Sequence, residues 1–259
     1  MTPQDALADG RLADAVALQD EVVRQRPDDP AVRLFLFELL TLAGRLADAR
    51  DHLRAIESAD PAWPATRKAF ARLLKAEYRR SHRHRRPTFL SPPPAHAARR
   101  WRAARAVATG DPDAARWVDS ADASSPHLFG HIDGREFDGL RDTDDRFGSV
   151  LEVFAGADYA WIPFADLRRI TLSPAVAVLD VAFRVARLTW VEGTAREFVL
   201  PLLYPGSHAA GDGFATGQEA DWPEAPGGVV CGIGPRVFMV GEEEVLFGDC
   251  RQFDLRVAT

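Results

Sequence analysis

The sequence predicts an α+β protein, with α-helical repeats in front and a mostly β (α+β) C-terminal domain behind. Three observations lead there. The hexapeptide Gly-Arg-Leu-Ala-Asp-Ala occurs at 10–15 and again at 44–49, and Pro30 and Pro64 share the same 34-residue offset. That is the period of the tetratricopeptide helix–turn–helix unit. Apolar residues recur at helical spacing up to about residue 125. From about 130 they fall into short or alternating runs divided by Gly, Pro and Asp, the pattern of strands and turns. Helices first and strands second give a helical domain over 1–125 and an α+β domain over 126–259.

Each element has a local reason. Thr2 is placed to cap a first helix, with Pro3 at its first position and Asp5 three residues on. Leu12, Ala15, Val16, Gln19, Val22 and Val23 follow helical spacing. Asp29-Pro30 starts the next helix, where Val32, Phe35, Leu36, Leu39, Leu40 and Ala43 form one stripe. Leu34, Phe37 and Leu42 make its other side apolar too, so this helix is either central or keeps a face for a partner. Gly44 ends it. Leu46, Ala49, Leu53 and Ile56 carry a fourth helix up to Asp60-Pro61, and Phe70, Leu73, Leu74, Glu77 and Tyr78 line a fifth. A basic, Pro-rich linker is expected at about 80–95, then a degenerate helical pair from His96 to Val107 and Asp113 to Asp119, turning at Gly110. About two and a half repeats do not bury their own core, so a second domain should cap them. Strands are predicted at Ser149–Phe154, Tyr159–Pro163, Arg169–Leu172, Arg187–Val191, Phe198–Tyr204, Arg236–Val240 and Phe253–Val257, with a helix at Pro174–Ala186.

The chain has 259 residues, 46% hydrophobic, and a net charge of −6. Residues 72–105 carry about +10 and the remainder about −16; Lys68 and Lys75 are the only lysines. Cys231 and Cys250 form no Cys-x-x-Cys, which argues against a structural zinc site or a disulfide framework. The start has neither a basic nor an apolar leader region, and no run reaches the roughly 18 apolar residues of a membrane span. These features predict a soluble, cytoplasmic protein that uses no membrane.

Signals for chemistry are weak. Asp138, Asp142, Asp144 and Asp145 form the densest carboxylate cluster. It lacks the order of an EF-hand loop, and reads better as a turn bonded to its own amides than as a cation site. His82 and His84 sit among arginines, whose field opposes a metal. The basic stretch with Phe89 and Trp101 could touch nucleic acid, but no recognised motif accompanies it. Gly206 to Gly217 is no phosphate loop, Ser207-His208 is no nucleophile elbow, and Gly232-Ile233-Gly234-Pro235 is no dinucleotide fingerprint. No cofactor is expected.

The C-terminal half carries more specific marks. Arg141-Asp142-Thr143-Asp144-Asp145-Arg146-Phe147-Gly148 leads into Tyr159-Ala160-Trp161-Ile162-Pro163. Then come Leu179-Asp180-Val181, Leu200-Pro201-Leu202-Leu203-Tyr204-Pro205-Gly206-Ser207, Asp221-Trp222 and Gly232-Ile233-Gly234-Pro235-Arg236. In this order, behind tetratricopeptide-like helices, the chain from about 4 to 256 resembles the TagJ/ImpE (SciE-type virulence protein) family of type VI secretion accessory proteins. It departs from the family pattern at Gln218, where an Arg is usual, and at Ala220, where a Thr is usual. The resemblance implies no enzyme. It implies an adaptor that binds a helix of the TssB-like small subunit of the contractile sheath and is linked to the ClpV ATPase. Two placements for the partner stay open: Leu34, Phe37 and Glu38 on the over-apolar helix, or Asp142, Asp144, Asp145, Tyr204 and Trp222 in the C-terminal domain. An enzyme with an unrecognised C-terminal site, or a nucleic-acid-associated protein using 72–105, are the alternatives.

Overall fold

The computed structural model describes residues 1–82 and 86–258. The centre of the basic run, 83–85 with His84, lies outside the described residues. The helical half comprises α1 (Pro3–Ala8), α2 (Leu12–Gln25), α3 (Pro30–Leu42), α4 (Leu46–Arg54) and α5 (Trp63–Ser81). The caps read from the sequence are in place. Asp5 N donates to Thr2 Oγ1 at 3.1 Å and Thr2 N donates back to the Asp5 carboxylate at 2.8 Å. Asp29 accepts the amides of Ala31 and Val32 at the start of α3.

After α5 the chain forms β1 (Thr88–Phe89), α6 (Ala95–Thr109), α7 (Ala114–Asp122), β2 (Leu128–Ile132), β3 (Arg135–Asp138) and β4 (Leu140–Asp142). It continues with β5 (Val150–Ala155), β6 (Asp158–Pro163), β7 (Leu167–Leu172), β8 (Phe183–Trp190) and β9 (Ala195–Pro201). Two one-turn helices follow, α8 (Ser207–Ala210) and α9 (Asp212–Ala215), then β10 (Glu224–Ala225), β11 (Val229–Val230), β12 (Val237–Val240), β13 (Glu243–Leu246) and β14 (Gln252–Val257). The main sheet has nine strands in the order β1-β6-β5-β9-β8-β7-β14-β2-β3; β13-β12-β4 form a second sheet and β10-β11 a hairpin. Within the main sheet only β1 on β6 is parallel.

Two expectations are corrected. The segment Pro174–Ala186 is not a helix: Val178–Val181 makes a single 3-10 turn, and Phe183 already opens β8. Ladder bonding to β7 and β9 on both sides, with Ala186 and Leu188 fully buried, overrides the local helical spacing. The linker at 80–95 is partly built into the fold. Arg80 still belongs to α5, and Thr88–Phe89 adds an edge strand with Phe89 opposite Trp161.

The core crosses the boundary at 125. Leu36, Phe37, Leu39, Leu73 and Leu74 share one apolar cluster with Phe154, Leu179, Ala182, Phe183, Leu203 and Ala215 from the C-terminal half. A second cluster fills the space between the two larger sheets, around Phe164, Phe238, Phe247 and Phe253. The degenerate pair α6–α7 packs Ala103, Ala106, Ala114 and Val118 onto Val229 and Cys231.

The duplicated hexapeptide has a duplicated contact. Gly10 and Gly44, at φ +74° and +69°, each end the first helix of a hairpin. The Gln218 side chain lies over Gly10, where a Cβ would come within 2.4 Å of it, and Gln218 Nε2 donates to Ala8 O at 3.1 Å. The His208 ring lies over Gly44, where a Cβ would come within 2.2 Å. Asp212 accepts the Ala13 amide at 2.8 Å and so caps α2 from the other half of the chain, a helix whose own Arg11 offers no side-chain cap. Gln218, a departure from the family pattern, thus has a contact of its own.

Gly110 provides the control, since its φ is +68° with no atom within 4 Å of a built Cβ. Gly110→Ala should lower stability by about 1 kcal/mol, the left-handed penalty alone. Gly44→Ala should lower it by more, because the His208 ring must also move; urea midpoints of the two variants measure the difference.

Candidate functional site

The acidic motif folds inward. Asp142 and Asp144 are fully buried. One Asp142 oxygen accepts the Asp144 amide at 2.9 Å and the Tyr204 hydroxyl at 2.7 Å; the other pairs with Arg236. Asp144 accepts the amides of Arg146 and Gly232, both at 2.8 Å, and pairs with the Arg146 guanidinium. Asp145 accepts the Val230 amide at 2.9 Å and pairs with Arg141. Trp222, half-buried, donates Nε1 to Thr143 Oγ1 at 3.0 Å, and that hydroxyl lies 2.9 Å from Tyr204 Oη. The structure therefore brings Asp142, Asp144, Asp145, Tyr204 and Trp222 together, with their polar atoms bonded to one another and to the backbone. No group of three or more potential metal ligands occurs among the described residues.

Next to this turn lies a buried charge cluster that sequence reading missed. Glu152 of β5 is 1% exposed. Its oxygens receive Arg80 Nε and Nη2 at 3.0 Å each from the end of α5, a second guanidinium from Arg236, and the Tyr159 hydroxyl. Arg80 also donates to Leu203 O at 2.6 Å and meets Glu77 at 3.3 Å. Burial opposes ionisation of Glu152, but Arg80 and Arg236 outweigh it and hold the carboxyl down at about 2. Burial pushes Asp142 up to about 6 despite Arg236 beside it. These groups face each other. A cleft beside them, lined by Glu77, Arg80, Tyr204, Ser207 and His208, holds about 70 Å3, well below the roughly 300 Å3 at which metabolite pockets begin.

The helical candidates lie elsewhere. Phe37 is fully buried, its ring 4.9 Å from Phe70 of α5, so it points inward and not to a partner. Leu34 is half-buried against the same core. Glu38 is half-buried, and its desolvation together with the Asp180 charge raises its carboxyl to about 7.

The large concave feature is a groove of about 730 Å3 between α4 and α5. One wall is a single face of α4, carrying Leu46, Ala47, Arg50, Leu53 and Arg54. The other is a single face of α5, carrying Pro64, Arg67, Lys68, Ala71, Leu74, Lys75 and Tyr78. Leu53 and Leu74 are buried at its floor, while Tyr78 is 53% exposed. The signal was present in the sequence as helical spacing, but the apolar positions are few and interleaved with cations, so the face reads as ordinary solvated surface.

Residues 134–254 match the family model described as ImpE protein, and residues 6–73 match a tetratricopeptide repeat model. A curated relative, the type VI secretion system accessory component TagJ of Pseudomonas aeruginosa, is 29% identical over 98% of this chain and 91% of its own length. The chain resembles the TagJ/ImpE family. The crystal structure of protein VPA1032 from Vibrio parahaemolyticus has the same fold, with a TM-score of 0.88 at 21% identity, covering 99% of this chain and 97% of that one. Within this chain, Asp142, Asp144, Asp145, Tyr204 and Trp222 all fall in the ImpE-matched region, and most of the groove falls in the repeat-matched region.

Glu152→Gln should cost about 3–5 kcal/mol, because it leaves Arg80 and Arg236 buried beside a neutral group. A carboxyl held below its ordinary value contributes stability above about 4.5 that is lost as pH falls toward 2. The gap between wild type and variant in thermal melts should therefore close over that range. Glu38 has the opposite sign. Its proton is held more tightly in the folded state, so its contribution is intact below about 4.5 and lost as pH rises through about 7. Glu38→Gln should accordingly raise the melting temperature relative to wild type at pH 8 and leave it nearly unchanged at pH 4.

Proposed function

We propose that this protein is a non-enzymatic accessory component of a type VI secretion system, acting in the cytoplasm. In this reading it seats a helix of the TssB-like sheath small subunit in the α4–α5 groove and is linked through the sheath to the ClpV ATPase. The observation that carries the proposal is the groove itself. Its α5 wall runs from Pro64 to Tyr78, about 21 Å at 1.5 Å per residue, enough for some four turns of a bound helix. An apolar floor between two helices is what a helix-in-groove interaction needs. The family and the name of the Pseudomonas relative support the secretion setting. Phe37 then acts from behind the groove. Phe37 holds α5 to α3 through Phe70, and the Asp142–Tyr204–Trp222 set fixes the domain against which α5 ends.

The test is calorimetric titration of the full chain with peptides spanning the helices of the cognate sheath small subunit. Saturable micromolar binding of one peptide is expected, weakened at least tenfold by Tyr78→Ala, which removes an exposed side chain from the groove wall. A set of peptides that all fail to bind would sink the sheath assignment.

A further inference from the structure

The rim of the groove carries charge that the fold does not use. Arg50 and Arg54 stand on the α4 wall, and Arg67, Lys68 and Lys75 on the α5 wall; no acidic residue lines the groove. All five are exposed. Among the described residues Arg50 and Arg54 pair only with Asp51, at 3.7 and 3.5 Å, in exposed pairs of little energetic weight. Arg67, Lys68 and Lys75 make no ion pair among the described residues. The nearby acid of α5, Glu77, is buried and turned to Arg80. Five like charges around one cleft repel one another, in a chain whose net charge is −6. Both lysines of the chain are on this one face, two helical turns apart.

On the reading that the protein is a helix-binding adaptor, we infer that the groove takes an acidic amphipathic helix, with an apolar stripe for the floor and Asp or Glu on both flanks of that stripe. Two flanks are required because the cations stand on both walls. The apolar floor of Leu46, Leu53, Ala71 and Leu74 selects a helix over a nucleic acid, which would leave those side chains against phosphate and sugar. Charge on the rim raises the encounter rate and fixes the register, while the floor supplies the hold. Binding is therefore salt-dependent in a way that an uncharged apolar groove would not be.

The test uses the full chain and three labelled synthetic helical peptides with one Leu stripe, flanked by Glu, Gln or Lys. The Glu peptide should bind at least tenfold more tightly than the Gln peptide and weaken at least fivefold between 50 and 300 mM salt. Lys68→Glu/Lys75→Glu changes two exposed side chains, and an unaltered thermal melt confirms its fold. This variant should lose the preference for the Glu peptide and gain the Lys peptide. Equal binding of all three peptides, or an unchanged order in the variant, overturns the inference. So does a single-stranded oligonucleotide that displaces the Glu peptide, or a self-association of the chain that the double variant abolishes. A sheath peptide that binds the wild type and the double variant equally overturns the inference and leaves the adaptor reading standing. A Glu peptide that binds as expected while every sheath peptide fails leaves the inference standing and sinks the sheath assignment.

Discussion

Glu152 stands between two guanidiniums that reach it from opposite ends of the chain, Arg80 at the close of the repeats and Arg236 just before β12. Each of these charges would be expensive to bury alone, by several kcal/mol, and none has solvent to fall back on. They are tolerable only together, which makes the meeting of α5, β5 and the approach to β12 an all-or-nothing arrangement. Asp142, Tyr204 and Tyr159 extend the set, and Trp161 donates to the Tyr159 hydroxyl. The end of α5 is therefore held to the sheet by charge as well as by packing. The wall of the groove inherits its position from that anchor.

Much of the helical half was legible because its rules are local. The 34-residue offset, the caps at Thr2 and Asp29, and the glycines at 10 and 44 each act within a few residues. The strands from β5 onward were also legible wherever an apolar run was bounded by turn residues. β2 and β3 were missed because Leu128–Ile132 and Arg135–Asp138 mix glycine, histidine and charge; the ladder to β14 makes β2 a strand, and the ladder to β2 makes β3 one. The Phe183 segment was misread for the same cause, since a strand with partners on both sides need not carry its own periodicity.

The candidate residues divide along similar lines. The acidic motif was visible, and its sequence favoured a turn in which Asp144 and Asp145 face backbone amides without saying which amides. The donors come partly from 230 and 232, far along the chain. Arg80 looked like the start of a solvated basic run. Glu77 is its one local partner, and that alone does not announce a side chain 3% exposed, because the other partners sit at 152 and 203. The same remoteness hid the groove, which exists only because α4 and α5 lie side by side with α5 ending on the sheet.

The matched contacts of Gln218 on Gly10 and His208 on Gly44 bear on how such a protein can change over generations. An open array of helical hairpins can gain or lose a unit by duplication, since each unit touches only its neighbours. Here two successive hairpin corners are gripped by two points of the following domain that are themselves ten residues apart. Inserting a hairpin between them would pull one corner out of its grip, and deleting one would leave a grip empty. The number of hairpins is thereby locked, and lengthening can proceed only from the amino-terminal end.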